Sequence, residues 1–246
     1  MYPVLIQFKY FGETRVVTSY GIFAILAILV GSAVIVYLAR QRGIAAFDTF
    51  NILALLVAGG VLVSLISHFL IFMPERLAGR SFFAFPVGLI SWGGVLGGFF
   101  AALYISRYWD IQLFKLGDFV MPGVAFGFAV GRVGCHFAGC CFGMHYEGPL
   151  ALHFTHPFAP AASVSQPLFP IQLLSAALLF LLGLVLLRLL VKKLRPGLVL
   201  AAYALLYGAG RFVVEYFRAD ARRVWLGLSD AQWYSLALAT TGVVLL

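Results

Sequence analysis

Apolar residues dominate the chain in long runs that short polar stretches separate. Seven runs carry little charge and approach the length of about 20 residues that a helix needs to cross a bilayer. They lie at 17–39, 50–72, 88–106, 119–133, 170–190, 198–217 and 231–246. The fourth is short and rich in glycine, which predicts a helix that ends inside a bundle, where protein covers its backbone. The pattern predicts an all-α polytopic membrane protein with about seven transmembrane helices in one bundle, residues 1–246.

Two segments outside these runs have a different character. Residues 1–16 interleave aromatic and polar side chains, which predicts a segment that lies on the membrane surface. Charged residues in this segment precede the first long apolar run, so no cleavable signal peptide is expected. Residues 142–169 are rich in proline and histidine, and proline disfavours a helix interior. We expect this second segment to form an extramembrane loop.

Composition supports a membrane environment, because 63% of the residues are hydrophobic and 11% are charged, against roughly 25% charged in soluble domains. The net charge of +8 suits anionic headgroups, although much of it serves to orient the helices. The basic cluster at 188–195 contains no acid and favours the cytoplasmic side for that end of the bundle. No nucleic-acid partner is expected.

The stretch 131–143, GRVGCHFAGCCFG, ends the fourth run and holds all three cysteines. Its Arg132 has no acid nearby in sequence, and an arginine in hydrocarbon is unfavourable by about 2.5–3.5 kcal/mol, so it marks a candidate site. Arg211 and Glu215 lie four residues apart in the sixth run and share a helix face. We predict that Arg132 and Arg211 clamp a lipid phosphate, since a guanidinium binds phosphate through two donors, and that Arg218 extends the positive surface. Alternatively, Glu215 only neutralises Arg211.

Cys135, Cys140 and Cys141 leave several interpretations open. A zinc site would need a fourth ligand, for which His136 and His145 are available, but the C-x4-CC spacing lacks the tight pairs of most metal sites. In an oxidising compartment Cys135 could form a disulfide with either of the others. A thiolate next to an arginine would be reactive, because cations lower the thiol pKa. A fourth interpretation is that the three are small packing residues, and no metal is expected. His136 and His145 are the candidate general bases.

Five short elements of the chain carry a resemblance. They are TSYG at 18–21, SWGGVLG at 91–97, GRVGC at 131–135, FPIQL at 169–173 and RFVVEYFR at 211–218. In this order they resemble the aromatic-Tyr-Gly, His-Gly-Gly, Gly-Arg-x-Gly-Asn, His-Pro-x-Gln-Leu and Arg-Phe-x-x-Glu-x-x-Arg elements of the prolipoprotein diacylglyceryl transferase family. Gly139 and Gly143 are also in register.

The resemblance implies a multi-pass enzyme of the bacterial cytoplasmic (inner) membrane, active on the extracytoplasmic side and without a cofactor. Its partners would be phosphatidylglycerol or another anionic phospholipid and a lipoprotein signal peptide, whose cysteine thiol receives the diacylglyceryl group. Arg132 and Arg211 inherit headgroup and catalytic roles, and Tyr20 a site position. The full set of expected catalytic residues is Arg132, Arg211, Tyr20, Cys135, Cys140 and His136. The expected substrate-binding residues are Arg132, Arg211, Glu215, Arg218, Trp92, Gly93, Gly94, Gly134 and Gly139.

The chain departs from the family's pattern at five polar positions. The family's histidines are replaced by Trp92 and Phe169, its asparagines by Cys135 and Ala138, and its glutamate by Cys140. Both arginines remain. Two hypotheses follow: a diacylglyceryl transferase in which a nearby histidine supplies the base, or a divergent paralogue that binds or modifies anionic phospholipid or carries a group on its own cysteines. A purely structural membrane subunit would leave the arginines unexplained.

Overall fold

The computed structural model describes residues 3–10, 13–77, 91–192, 195–220 and 224–246. Most of this described part is helical. Its α-helices are α1 (Ser19–Gln41), α2 (Ala46–Leu77), α3 (Ser91–Tyr108), α4 (Leu113–Ala138), α5 (Ile171–Val191), α6 (Leu198–Glu215) and α7 (Asp230–Leu245). Two small antiparallel hairpins add strands to the predicted all-α fold. Strands β1 (Val4–Tyr10) and β2 (Glu13–Thr18) precede α1, and strands β3 (Val224–Trp225) and β4 (Leu228–Ser229) precede α7.

Five of the helices are long and apolar enough to cross a membrane. They are α1, the Ala46–Ile71 part of α2, α4, α5 and α6. The prediction of a helical, polytopic membrane protein is therefore confirmed. The predicted count of about seven crossings is not, because within the described residues α3 and α7 do not reach the same combination of length and hydropathy.

Helix α4 differs most from its prediction. It runs from Leu113 to Ala138, well beyond the expected 119–133 on both sides, so the prediction of a short helix was wrong. The predicted start at residue 119 was too late because the charged Asp118 interrupts the apolar run. In the structure Asp118 lies inside the helix, and its carboxylate is an acceptor for another helix. Its Oδ2 accepts from Gly197 N–H at 2.7 Å and its Oδ1 from Leu200 N–H at 2.9 Å, where α6 begins. The first N–H groups of a helix need such acceptors.

The chain divides into two compact units, Met1–Ile35 with Asp118–Leu246, and Val36–Gly117. In the second unit, α2 and α3 pack backbone to backbone through glycines. A Cβ on Gly59 would lie 2.9 Å from the Gly97 carbonyl oxygen, and one on Gly93 would lie 2.8 Å from Ser67 Oγ. Small residues allow this close approach between membrane helices.

Glycines also bring helices of the first unit close together. A Cβ on Gly127 of α4 would lie 2.8 Å from the Ala27 carbonyl oxygen of α1, and one on Gly208 of α6 would lie 2.7 Å from the Ser235 carbonyl oxygen of α7. Side chains from α4, α5 and α6 form the buried core, which consists of Ala125, Leu182, Leu186, Val199, Ala202 and Tyr203. The close α1–α4 contact brings the start of α1 beside the end of α4.

Residues 142–169 contain no α-helix, as their proline content predicted. A single 3-10 turn, Pro160–Ser163, and isolated backbone bridges organise them. Phe154, Ala161 and Leu168 are buried together under this segment. One bridge joins Gly143 to Arg218, so the segment is connected to the chain that follows α6.

Candidate active site

The site forms where α4 ends. Gly139 and Cys141 have φ angles of 68° and 54°, in the left-handed region that a non-glycine residue such as Cys141 uncommonly adopts. A left-handed residue after the last turn is a common helix ending. Here it folds the chain back, with Cys140 N–H donating to the Cys135 carbonyl at 3.2 Å. The three sulfur atoms of Cys135, Cys140 and Cys141 consequently lie within 4.8 Å of one another, all as free thiols.

Gln172, at the start of α5, holds this turn in place. Its Nε2 donates to the Cys140 carbonyl at 2.9 Å, and the side chain is 1% exposed. Ala161 N–H donates to the Gly139 carbonyl at 3.0 Å from the other side. Sequence reasoning did not select Gln172 as a site residue. The available signal was the FPIQL element at 169–173, in which this amide stands two residues after a proline at the start of an apolar run.

Three arginines gather around the thiols. Arg211 interacts electrostatically with both Arg132 and Arg218. Cys141 interacts with Arg218 and Arg132. Tyr20, at the start of α1, interacts with Arg132 and with all three cysteines. The structure thus groups Tyr20, Arg132, Arg211, Arg218 and the cysteines at one end of the first unit.

The three arginines differ in their partners. Arg211 Nη1 donates to Glu215 Oε2, and Glu215 Oε1 accepts from Ser229 Oγ at 2.9 Å. Arg218 donates to both carboxylate oxygens of Asp220, at 3.1 and 2.9 Å. Arg132 makes no hydrogen bond or ion pair with any residue that the structure describes. A guanidinium charge beside two other cations and without a carboxylate favours an anionic ligand.

The thiols beyond the end of α4 differ in acidity. Hydrogen bonds from Cys135 and Cys140 lower the pKa of the Cys141 thiol, and the positive charges of Arg218 and Arg132 lower it further, although burial raises it. Hydrogen bonding to Cys135 and Cys141, together with burial, raises the pKa of the Cys140 thiol. Burial would lower the pKa of Arg218, but its hydrogen bond with Asp220 and the neighbouring Cys141 raise that pKa above its usual value. Of these two thiols, that of Cys141 therefore ionises more readily.

The predicted site glycines Gly93, Gly94 and Gly134 lie in contacts between helices. Gly134 packs against Phe23, where a Cβ would lie 2.5 Å from the phenylalanine Cβ. Gly93 and Gly94 lie on α3 in the second unit, in the contact with α2, and the side chain of Trp92 is outside the described residues.

Both candidate general bases have mainly structural surroundings. The His136 ring makes edge contacts with Phe137 and Phe154, and its buried Nδ1 has no partner among the described residues. His145 is exposed on the loop, with its Nδ1 3.2 Å from the Pro167 carbonyl oxygen and its Nε2 3.3 Å from Glu147.

A family model described as prolipoprotein diacylglyceryl transferase matches residues 3–246. The chain belongs to the prolipoprotein diacylglyceryl transferase family. This confirms the resemblance drawn from the five short elements. The match includes both units and every residue of the arginine and cysteine group.

Individual relatives in this transferase family carry fuller names. The chain is 36% identical over 159 residues to the phosphatidylglycerol–prolipoprotein diacylglyceryl transferase of Clostridium tetani, covering 63% of this chain and 62% of that protein. It is 33% identical over 161 residues to a second enzyme of that name from Clostridium perfringens, with 65% and 62% covered. With the Idiomarina loihiensis protein it shares 32% over 187 residues, with 74% and 67% covered. The chain thus spans about 62% of the length of the two clostridial relatives.

Proposed function

We propose that this family member transfers a diacylglyceryl group from phosphatidylglycerol to the cysteine thiol of a lipoprotein precursor. The names of its relatives supply the reaction class. The observation that carries the proposal in this chain is Arg132, a cation without a partner among the described residues, which lies near enough to Arg211 and Cys141 for their charges to interact. A phosphodiester headgroup has the charge and the paired oxygens that such a guanidinium binds.

The chemistry requires stabilisation of a leaving phosphate. The acceptor thiol loses its proton to water, and its sulfur forms a bond to the glycerol carbon that bears the phosphate. The carbon–oxygen bond breaks, and its electron pair stays on the phosphate oxygen of the released glycerol phosphate. Negative charge therefore grows on that oxygen in the transition state. Donors aimed at developing charge in a site with little water lower the barrier most. Arg132 and Arg211 serve as these donors, while Glu215 positions Arg211.

Tyr20 completes the phosphate site from α1. It interacts electrostatically with Arg132 and with the cysteines, so its hydroxyl can donate to the same headgroup. Arg218 adds positive charge on the thiol side, and Asp220 holds its guanidinium in orientation. Gly134 and Gly139 contribute through close packing of α4 against Phe23 and Ala159.

The site faces the extracytoplasmic side of the bacterial cytoplasmic membrane in this proposal. At the other end of the first unit, near Asp118 and Gly197, lie the basic residues Arg188, Lys192 and Arg195, and positive charge favours the cytoplasm. Helices α3 and α7 are proposed to cross as well, giving seven spans. Single-cysteine labelling on a cysteine-free background tests the orientation: a probe at Ser163, in the loop before α5, should react from outside, and one at Lys192, after α5, only after permeabilisation.

A transfer assay tests the reaction. The purified protein would be mixed with vesicles of phosphatidylglycerol labelled in its diacylglyceryl part and with a lipobox peptide. We expect label on the peptide and an equal amount of glycerol phosphate, and no label on a peptide with serine in place of the cysteine. An unlabelled cysteine peptide, with the Clostridium tetani relative active alongside, would contradict the proposal.

A second candidate function is favoured by the three free thiols, which could carry the group themselves. Intact-protein mass spectrometry after incubation with phosphatidylglycerol, without peptide, distinguishes the two. A diacylglyceryl adduct on Cys135, Cys140 or Cys141 that does not pass to added peptide would support a carrier. Unmodified thiols in an active sample would leave direct transfer as the function.

A further inference from the structure

The three sulfur atoms have the spacing of a metal site. Three thiolates bound to one zinc ion at about 2.3 Å in trigonal arrangement lie about 4 Å apart. The sulfur atoms of Cys135, Cys140 and Cys141 lie within 4.8 Å of one another, close to that spacing. In the part of the chain that the structure describes, no histidine or carboxylate joins this group. Such a set supplies three ligands and leaves the fourth tetrahedral position open, as in catalytic rather than structural zinc sites.

The backbone that builds this cluster is held in an unfavourable conformation. Cys141 has a φ of 54°, which a role in packing alone does not require, and Gly139 precedes it at 68°. The buried Gln172 fixes the carbonyl of Cys140 between them. Outliers maintained by surrounding structure are typical of functional sites. Soft thiolate ligands in tetrahedral arrangement favour zinc among the common divalent ions.

The surrounding charges fit an occupied site with four thiolates. Zinc with three thiolates carries a net charge of −1, and a fourth thiolate makes it −2. Cys141 is in electrostatic contact with Arg218 and Arg132, whose positive charges oppose that excess. Asp220 takes part of the charge of Arg218, but Arg132 has no carboxylate among the described residues. A fourth thiolate and a lipid phosphate would then lie on two sides of Arg132.

We propose that Cys135, Cys140 and Cys141 bind one Zn²⁺ ion, and that its open position binds the acceptor cysteine of the lipoprotein precursor as a thiolate. This inference rests on the proposed function. It also accounts for Trp92 and Phe169, which stand where the family's histidines would be, because a metal that acidifies the acceptor replaces a general base. The acceptor S–H loses its proton to water on binding. Its sulfur then forms the bond to the glycerol carbon as the carbon–oxygen bond breaks, and no atom changes oxidation state.

Metal content tests the site without any transfer reaction. Protein purified under reducing conditions should hold one zinc per chain by elemental mass spectrometry. Cys135→Ser, Cys140→Ser and Cys141→Ser should each lose it, whereas His153→Ala, an exposed histidine of the loop, should retain it. Circular dichroism and gel filtration of each variant would establish that it is folded. Full zinc occupancy in all three serine variants would overturn the proposal.

Cobalt substitution tests the open position. Co²⁺ in the site should show sulfur-to-cobalt charge-transfer absorption, and a lipobox peptide should change the visible bands while its serine version should not. A reduced protein that binds neither zinc nor cobalt, a mass two hydrogens lower that reveals a disulfide, or cobalt bands that the peptide leaves unchanged would each overturn the inference. Transfer that persists after zinc is removed would overturn it but leave the proposed function intact. Zinc and peptide binding without any lipid transfer would overturn the proposed function and leave the metal site.

Discussion

Helix α4 carries one charged residue near each end, the buried Asp118 and the partly buried Arg132. The two differ in whether the chain itself supplies their hydrogen-bond partners. Near its start, Asp118 is 8% exposed, and both carboxylate oxygens accept backbone N–H groups at the beginning of α6. About 21 Å along the helix, Arg132 is partly buried and pairs with no carboxylate among the described residues. A charge whose hydrogen bonds are made within the chain stabilises the fold. One whose donors remain available is suited to a ligand.

The largest expected effect comes from the ligand end. Arg132→Gln should lower the rate of transfer about 100-fold or more, since it removes a charged donor to the leaving phosphate. Its thermal unfolding midpoint in detergent should stay close to that of the parent, because Arg132 forms no ion pair with any residue that the structure describes. Arg188→Gln, an exposed arginine in the last turn of α5, is the matched control and should be fully active. Equal rates of transfer in Arg132→Gln and Arg188→Gln would contradict a ligand-binding role for the Arg132 end of α4.

At the Asp118 end of α4 we expect a loss of stability and no loss of transfer. Asp118→Asn should lower the free energy of unfolding by about 1–3 kcal/mol, because the amide offers only one oxygen to the two N–H groups of α6. Transfer per folded molecule should stay unchanged. The exposed Asp110→Asn serves as control, with an effect within about 0.5 kcal/mol. Denaturant titration in mixed micelles measures both, and a selective loss of transfer in Asp118→Asn would show that this end also serves catalysis.

A smaller effect on both stability and substrate binding is expected at Ser229. Ser229 caps α7 and also donates to Glu215, the partner of Arg211. Ser229→Ala should lower the free energy of unfolding by about 0.5–2 kcal/mol through loss of the cap, and should raise KM for phosphatidylglycerol several-fold by loosening Arg211. Ser163→Ala, whose hydroxyl bonds only within an exposed 3-10 turn, should change neither quantity. An unchanged KM in Ser229→Ala would show that the hydrogen bond from Ser229 to Glu215 does not influence substrate binding by Arg211.

The smallest effect concerns two glycines of α6. A Cβ on Gly210 meets nothing within 4 Å among the described residues, so Gly210→Ala should raise the free energy of unfolding by about 0.5–1 kcal/mol through helix propensity. Gly208→Ala is the contrasting variant, because its Cβ would lie 2.7 Å from the Ser235 carbonyl of α7. Stability should rise in one variant and fall in the other. Destabilisation in both would indicate that the free face of α6 is covered by a lipid or a partner.

The apolar pattern was a good guide to helices whose ends coincide with changes in polarity. The predicted runs 170–190 and 198–217 differ from Ile171–Val191 and Leu198–Glu215 by no more than two residues at any end. It failed for α4, because the carboxylate of Asp118 interrupts the run while its partners lie 79 and 82 positions away in sequence. The N-terminal hairpin was missed because alternating aromatic and polar residues also suit an interfacial segment.

The charged residues of the candidate site could be selected from the sequence, but the arrangement of its cysteines could not. Arg132 stood out because no acid accompanies it in sequence, and the structure puts it in electrostatic contact with Arg211. The spacing of the cysteines pointed away from a metal, since C-x4-CC lacks the usual tight pair. Their convergence depends on left-handed backbone at Gly139 and Cys141, which residue identity does not predict for a cysteine.

The hydrogen bond between Ser229 and Glu215 has a consequence for how the protein is made. Arg132 and Arg211 leave the ribosome before Ser229, yet the carboxylate that orients Arg211 is held in part by the cap of the final helix. A nascent or truncated chain that lacks this helix would lack one of the hydrogen bonds that hold Glu215, and through it Arg211, in position. Because synthesis delivers that helix last, the orientation of Arg211 is completed only when the final segment of the chain has been made.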